Sequence, residues 1–582
     1  YLKIEDHITL LVGHNIKYDL LWEWDSPALK AFFKRGGKIW DTMYAEYLIQ
    51  GQTQDSQMCS LDSIVESYGG RKKIDAVKAL WEAGYMTDQI DPDMLEDYLI
   101  GTEEEQRNSG DVGNTELIFL GQITKARELK MIPMIQARMD GLCCTTEMEW
   151  NGLYIDTAEA KRRMQILNAE LVETDAALLP FLPTMPPECP FNWASKVHVS
   201  SLIFGGVIRY EKQTTYIDEA TGQLARKKDV AKWPLFNGLP VDPALCDTLD
   251  GESYCNGKDF QDRFTSGLKK GSPKFKNVDV PGELKVKYQD FFITLDGYTA
   301  PKPEWQTGQN DGAGQPIYQT NADVIDELSL RDIKFLKLLQ KRQDIVKDLG
   351  TYYLRYDAKK DEYVGMLTCV MPESKLIHHS INHVNTVTTR LSSNNPNLQN
   401  IPRGDTSEVK KMFTSRYAGG FMVEADYSQL EVVVQGMLSG DTNLIKDLNN
   451  KVDFHCKRVA ARYNCTYEEA VFRCKNSTFT DFVQWKNYRT KAKQFSFQRA
   501  YGAGAIKIAL TTGMPVADIE AMIELEEAMY PGVIHYNQKV EQEVKNSARP
   551  FRDWNEEGKF YRRGYYTAPT GTRYSFRSYD AP

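Results

Sequence analysis

The 582 residues exceed what one hydrophobic core sustains and imply roughly three or four domains. A hydrophobic share of 42% with 11% aromatics fits an ordinary soluble globular chain, and no apolar run nears the ~18 residues that span a bilayer, so no membrane partner is expected. The net charge of −9 excludes a uniformly basic DNA-coating protein but not an enzyme whose basic footprint is local.

The chain begins at Tyr1 rather than Met and ends on "SYDAP", which reads as a piece of something longer. Residues 8–13, "ITLLVG", predict a buried strand, and "YDLLWEW" has helical spacing. Apolar runs and amphipathic helices alternate to about 137, the mark of a mixed α/β domain. From about 138 to 205 the pattern is mostly helical. Residues 207–317 are rich in Gly, Asp, Lys and Pro with weak periodicity. They predict a loop-rich, partly mobile insertion, with "GSPKFKNVDVPGE" and "QTGQNDGAGQP" as loops. A strong helix is expected at about 322–355. Strand-like segments after 364 lead to a loop at 391–402, then to a buried strand, "GFMVEADYS", with helices from about 428.

Ten scattered cysteines without CxxC pairs point to a reducing interior. Cys456, Cys465 and Cys474 recur nine apart near His455. On one helix that spacing turns neighbours to opposite sides, and zinc takes tighter spacing.

The stretch "RTKAKQFSFQRAYG" at 489–502 places Arg489, Lys493, Phe497 and Tyr501 four apart. Steps of four drift about 40° on a helix, so they share one edge. A surface helix with solvated cations and core-packed rings would look like this. So would a helix gripping a nucleotide, with cations on phosphate and rings on sugar and base. Asp426, in "VEADYSQLE" at 423–431, would sit at the end of an apolar strand, either solvated or holding a cation. The loop "TTRLSSNNPNLQNIP" at 388–402 mixes an Arg with amide and hydroxyl groups, which suits sugar and base edges as well as ordinary turns.

Together, "RLSSNNPNLQNIP", "DYSQLE" and the R-x3-K-x3-F-x3-YG helix occur in the order found in family A DNA polymerases, the DNA polymerase I type, which this chain resembles. "EMEWNGLYID" at 147–156, "FNWASKVHVSSLIFGG" at 191–206 and "GYYTAPTGTRYSF" at 564–576 extend the resemblance to nearly the whole chain except 207–317. "DYSQLEVVVQ" is similar to bacteriophage members. The resemblance implies a multidomain α/β and α+β architecture. A ribonuclease H-like 3′→5′ exonuclease domain (1–137) precedes a right-hand polymerase with thumb (138–363, insertion 207–317), incomplete palm (364–436) and fingers (437–582). It implies a DNA-directed DNA polymerase that adds dNTPs to a primer 3′-hydroxyl in DNA replication, located in the cytoplasm of a host cell if phage-encoded.

By the same resemblance, two Mg²⁺ ions per active site are expected, with Asp426 and the Tyr427 carbonyl as ligands. Glu431 would be the steric gate against a ribose 2′-hydroxyl. Arg489, Lys493 and His455 would meet the triphosphate, Lys493 also protonating the leaving group. Phe497 would pack on the sugar and Tyr501 beside the base pair, while Gly502 would let backbone approach the template. Arg390, Asn397 and Gln399 would hold the primer–template. Val433 stands where the family often has an Arg, so that role does not carry over.

"GHNIKYDLLWEW" resembles the second exonuclease motif, making Asp19 a metal ligand. Asp111 would be another, with Tyr98 orienting water. The third motif, Y-x3-D, is restored only by removing Thr102–Gly110, an inserted nine residues that puts proofreading in doubt. The family's D-x-E strand and its last His-Asp hairpin are both absent from the sequence, because "IEDHI" lacks the spacing and no His follows His535. A truncated sequence explains both. The alternative is a primer–template binding fragment, inactive alone and completed in trans by a separate palm segment. The 207–317 insertion is either a decorated loop or a dock for a processivity factor.

Overall fold

The computed structural model describes residues 3–72, 76–101, 110–249, 252–255, 259–321, 324–325, 328, 333–357, 360–402, 404, 407–500, 502–552 and 560–578. The chain divides into two compact units, one of residues 1–169 with 345–582 and one of 170–344.

The first unit opens with strand β1 (Leu10–Gly13), helices α1 (Ile16–Glu23) and α2 (Pro27–Lys34), and strand β2 (Lys38–Asp41). The strands pair in parallel, Leu10 opposite Lys38 through Gly13 opposite Asp41, which requires the helical crossover between them. Ser26 starts α2 by accepting a hydrogen bond from the Leu29 amide at 3.2 Å, with Pro27 in the first turn. Asp41 ends β2 and caps α3 (Thr42–Ile49). Helices α4 (Pro92–Ile100), α5 (Asp111–Glu128) and α6 (Ile132–Asn151) follow. Phe32, Ile39, Trp40, Leu48, Ile135 and Met139 form one core, so α6 packs with β2 rather than opening a new domain. The sequence boundary near 137 is therefore not a boundary between compact units. Helix α7 (Thr157–Leu178) comes next.

The second unit, from Glu170 to Asp344, holds the end of α7, then α8 (Lys196–Phe204). The loops expected at 207–317 are instead antiparallel strands: β3 (Gly206–Thr215), β4 (Arg226–Phe236), β5 (Phe275–Leu284), β6 (Val286–Leu295), β7 (Gln306–Asn310) and β8 (Pro316–Tyr318). β3 and β6 pair residue for residue, Gly206 opposite Leu295 through Thr215 opposite Val286. β4 pairs β5, and "GSPKFKNVDVPGE" supplies most of β5. In "QTGQNDGAGQP", Asp311 turns the β7–β8 hairpin by accepting from the Ala313 and Gln315 amides at 2.9 and 2.8 Å. The signal overlooked was period two: half-buried Tyr210, Lys212 and Thr214 alternate with exposed Arg209, Glu211 and Gln213. Narrow ribbons bury little, so long polar side chains occupy both faces and the apolar pattern stays weak. Leu202, Ile203, Phe204, Trp305, Phe335 and Leu339 make this unit's core. Within the helix expected at 322–355, α9 (Lys334–Thr351) is observed, and much of 322–332 lies outside the described residues.

The remainder of the first unit carries the short pair β9 (Ser380–Asn382) and β10 (Ser392–Asn394), helix α10 (Leu430–Ser439), and a helical group. That group comprises α11 (Phe454–Arg462), α12 (Tyr467–Lys475), α13 (Phe482–Ala500), α14 (Ala505–Thr512), α15 (Val516–Met529) and α16 (Pro531–Ser547). The three-stranded sheet β11 (Arg549–Arg552), β12 (Phe560–Thr567) and β13 (Arg573–Ser578) closes the chain. One expectation is overturned here. The "GFMVEADYS" segment is irregular and solvent-exposed, with Phe421 and Val423 89% and 87% exposed. A strand needs a neighbour for its amides and carbonyls, and no described strand pairs with 421–427. Cys456 and Cys474 are also not on one helix. They lie on α11 and α12 and meet in a common core with no metal-holding group among the described residues. Among the described residues no helix is long and apolar enough to cross a membrane.

Candidate nucleotide-binding site

Helix α11 begins where Asp453 accepts hydrogen bonds from the His455 and Cys456 amides, each at 3.1 Å. Arg489 of α13 reaches the same carboxylate, Nη2 to Oδ2 at 2.9 Å and Nε at 3.2 Å. Lys475 from the end of α12 adds a third contact at 2.9 Å. Burial raises the Asp453 pKa, but the hydrogen bonds of Lys475, the Cys456 amide and Arg489 outweigh it and hold the carboxyl well below the usual range. Ser496 Oγ lies 3.4 Å from His455 Nδ1, which places the imidazole beside the same helix edge. Burial, then the charges of Arg458, Arg489 and Lys493, press His455 down to about 4 against the pull of Asp453, so the ring is neutral at pH 7.

Along that edge Lys493 pairs with no carboxylate among the described residues. Its ammonium stands 6.0 Å from the centre of the Phe497 ring, and Phe497 is half exposed. A preset guanidinium, an unpaired ammonium, a neutral imidazole and an open ring form a surface polar and cationic at one end and aromatic at the other. Such a surface suits an organic phosphate. Tyr501 lies outside the described residues. Gly502 has φ +76° and receives no neighbour within 4 Å at its Cβ position, so the left-handed backbone after α13 accounts for the glycine.

The structure also joins two motifs distant in sequence. Arg390 Nη2 donates to Glu431 Oε1 at 3.0 Å, and both side chains are exposed. Asn397 turns the loop by accepting from the Gln399 amide at 3.0 Å, and the Gln399 side chain donates to the Leu391 carbonyl at 2.9 Å. Asp426 and Tyr427 are exposed in the unpaired segment before α10.

Mg²⁺ demands about six oxygen ligands, usually including carboxylates. Asp426 and the Tyr427 carbonyl are a small part of such a set. Among the described residues no group of three or more His, Cys, Asp or Glu side chains converges to hold a metal. The residues present therefore do not complete the expected Mg²⁺ sites, including those expected at Asp19 and Asp111.

In the first part of the chain Asp19 is exposed on α1, and Asp111 opens α5. Tyr98, on α4, packs edge-on against Trp81 with ring centres 5.7 Å apart. Residues 102–109 lie outside the described residues, but their flanks do not. A Cβ on Gly110 would stand 2.3 Å from the Gly101 nitrogen, so the chain returns to the point it left. Removing the excursion would bring the Tyr98 and Asp111 helices nearly end to end. The "GHN" turn is tied by other bonds: His14 Nδ1 to Thr42 Oγ1 at 2.9 Å, Nε2 to the Cys59 carbonyl at 2.8 Å, and the Asn15 amide to Asp41 at 3.2 Å.

Asp453, Lys475 and Ser496 escaped the sequence reading. An Asp two residues before His455, opening a helix, is a legible cap signal. Its partner Arg489 lies 36 residues on, and no local pattern announces that contact.

Residues 309–550 match the family model described as DNA polymerase family A. DNA polymerase I of Bacillus caldotenax is 27% identical over 231 residues, 39% of this chain and 24% of that protein. DNA polymerase I of Chloroflexus aurantiacus is 31% identical over 221 residues, 38% of this chain and 21% of that protein. The matched stretch thus spans about a quarter of these relatives. A solved structure described as the POL domain of Pol1 from M. smegmatis in complex with DNA primer-template and dNTP shares the fold, with a TM-score of 0.52 at 16% identity, over 96% of this chain and 68% of that one.

Proposed function

We propose, from the DNA polymerase family A match at residues 309–550, that this chain performs the nucleotide-handling part of template-directed DNA synthesis. The observation that carries the reading is the α11–α13 edge, where Asp453 sets Arg489 beside His455, Lys493 and Phe497. Arg489 and Lys493 hold the triphosphate of an incoming dNTP, Lys493 offering a proton toward the leaving group. Neutral His455 donates a hydrogen bond without adding charge. Phe497 packs on the sugar, and Glu431, oriented by Arg390, fills the space of a 2′-hydroxyl. Arg390, Asn397 and Gln399 face primer–template. Mg²⁺, when its full ligand set is present, supplies charge neutralisation at the phosphates. The likeness to a polymerase caught with primer-template and dNTP supports this assignment.

The test is fluorescence anisotropy of a labelled primer–template with a dideoxy terminus. The dNTP complementary to the templating base should tighten binding, the other three should not, and Arg489→Ala should abolish the difference. Equal binding with all four dNTPs would sink the reading.

A second reading is favoured by the exposed apolar run Phe421–Tyr427. The chain binds primer–template but completes its palm only with a strand-bearing segment supplied in trans. Residues 1–137 are the candidate 3′→5′ exonuclease domain in either case, with Asp19, Tyr98 and Asp111 as its residues and the Thr102–Gly110 insertion weighing against proofreading. The 207–317 insertion is the segment on which a processivity factor would be sought, by its effect on product length.

A further inference from the structure

The helix that presents Arg489, Lys493 and Phe497 has a second functional face. Tyr488, Lys491 and Ala492 lie about 100–160° around α13 from Lys493 on that edge. They line a cavity of about 200 Å³ closed by α11 and by the loop and helix from Gly513 to Met522. One wall is aromatic: Tyr463 and Tyr488 stack with ring centres 4.3 Å apart at 21°. The thioethers of Met514 and Met522 make an apolar, adaptable lining. Arg458, Arg462 and Lys491 line it together with Asp518, which Arg462 engages at 2.6 Å. Arg458 pairs with Glu526 through its terminal nitrogen. Its guanidinium also donates to the Phe454 carbonyl at 3.4 Å. Lys491 has no ion-pair partner among the described residues.

Arg458 and Arg462 are already paired, so among the described lining residues Lys491 is the cation left to meet an anion. An aromatic wall beside that ammonium suits a planar ring bearing an anionic group. We infer that this cavity is a nucleotide-binding pocket separate from the Arg489 edge, taking a base against Tyr463 and Tyr488 and a phosphate at Lys491. The base comes from a free nucleotide or from an unpaired residue of single-stranded nucleic acid. Both present the same chemistry, and occupancy from the rear would set the tilt of α13 and so the reach of its front edge.

Photolabelling of the whole chain decides between sources and tests the site. The probes are 8-azidoadenosine monophosphate and an oligothymidylate containing 5-iododeoxyuridine, with labelled peptides mapped by mass spectrometry. Peptides 458–463 and 513–522 report the rear pocket, and label resolved to Arg489, Lys493 or Phe497 reports the front edge. We expect rear labelling to fall about tenfold in Lys491→Ala at sub-saturating probe and to persist in Arg489→Ala/Lys493→Ala. Lys491 is half-exposed and unpaired, so its removal leaves the fold intact, which circular dichroism verifies. Labelling by the monophosphate alone assigns a free nucleotide, and labelling by the oligomer alone assigns a strand. Absence of rear labelling with both probes, or rear labelling indifferent to Lys491→Ala, overturns the inference. Front labelling without rear labelling leaves the polymerase reading standing and removes only this one.

Discussion

At the scale of single residues, Asp41 and Asp453 show two fates for a buried carboxylate. Asp41 has only backbone amides for partners, Asn15, Met43 and Tyr44. Burial pushes its pKa up from 3.8 to about 6, because amides offset only part of the lost hydration. The sign follows. A carboxyl with a raised folded-state pKa binds protons more tightly when folded, so stability is lost as pH rises from about 3.8 to about 6, by about 3 kcal/mol in total. Asp41→Asn keeps the cap and removes the charge. Amide exchange at Met43 and Tyr44 should then lose its pH-dependent opening across that window, beyond the intrinsic base-catalysed trend. Asp453 has cations, and the opposite shift. Asp453→Asn should cost about 2 kcal/mol of stability in the helical group, free Arg489 to wander, and lower the His455 midpoint further below about 4. An NMR titration of the His455 ring checks the last point.

Among elements, a buried ion pair ties α1, α6 and β9 together. Lys17 of α1 donates to Glu149 of α6 at 2.6 Å and to the Ile381 carbonyl of β9 at 2.6 Å, while the Ile381 amide donates back to Glu149. Burial lowers the Lys17 pKa against the pull of Glu149. Removing one partner strands the other charge, so Lys17→Met should destabilise by about 3–5 kcal/mol. Lys17→Met/Glu149→Leu should recover much of that, as read by thermal unfolding. Lys17 sits inside "GHNIKYD", where the sequence directed attention to Asp19. The helices α1 and α13 were legible from local spacing, in "YDLLWEW" and in the four-residue steps from Arg489 to Phe497. The Lys17–Glu149 pair, 132 residues apart, leaves no such trace. The ribbon β3–β6 was missed for a related reason. Its stability comes from pairing across about 75 residues, and its two polar faces blur the alternation that marks a strand on a core.

For the molecule as a whole, the motif order told more than the local patterns did. The α11–α13 edge and the Arg390–Glu431 contact assemble residues from separated motifs, and each motif was visible in the chain. The segment 421–427 read as a strand because its apolar alternation is real. That pattern specifies a partner without supplying one. Phe421, Val423, Leu430, Val434 and Met437 stay exposed, and the last three recur at helical spacing on one face of α10. An open apolar surface of this kind promotes association. Phe421→Lys/Val423→Lys should lower ANS binding and light-scattering aggregation while leaving helix content unchanged. Unaltered aggregation would place the sticky surface elsewhere.

The contact between Gly101 and Gly110 has a practical corollary. Because Gly101 and Gly110 touch, a short flexible linker in place of the residues between them should leave the path of both flanking helices unaltered, as amide exchange in α4 and α5 would check. Closing such a linker costs about 0.6 kcal/mol for each doubling of its length. This is the place to splice in a fluorescent reporter or a protease site.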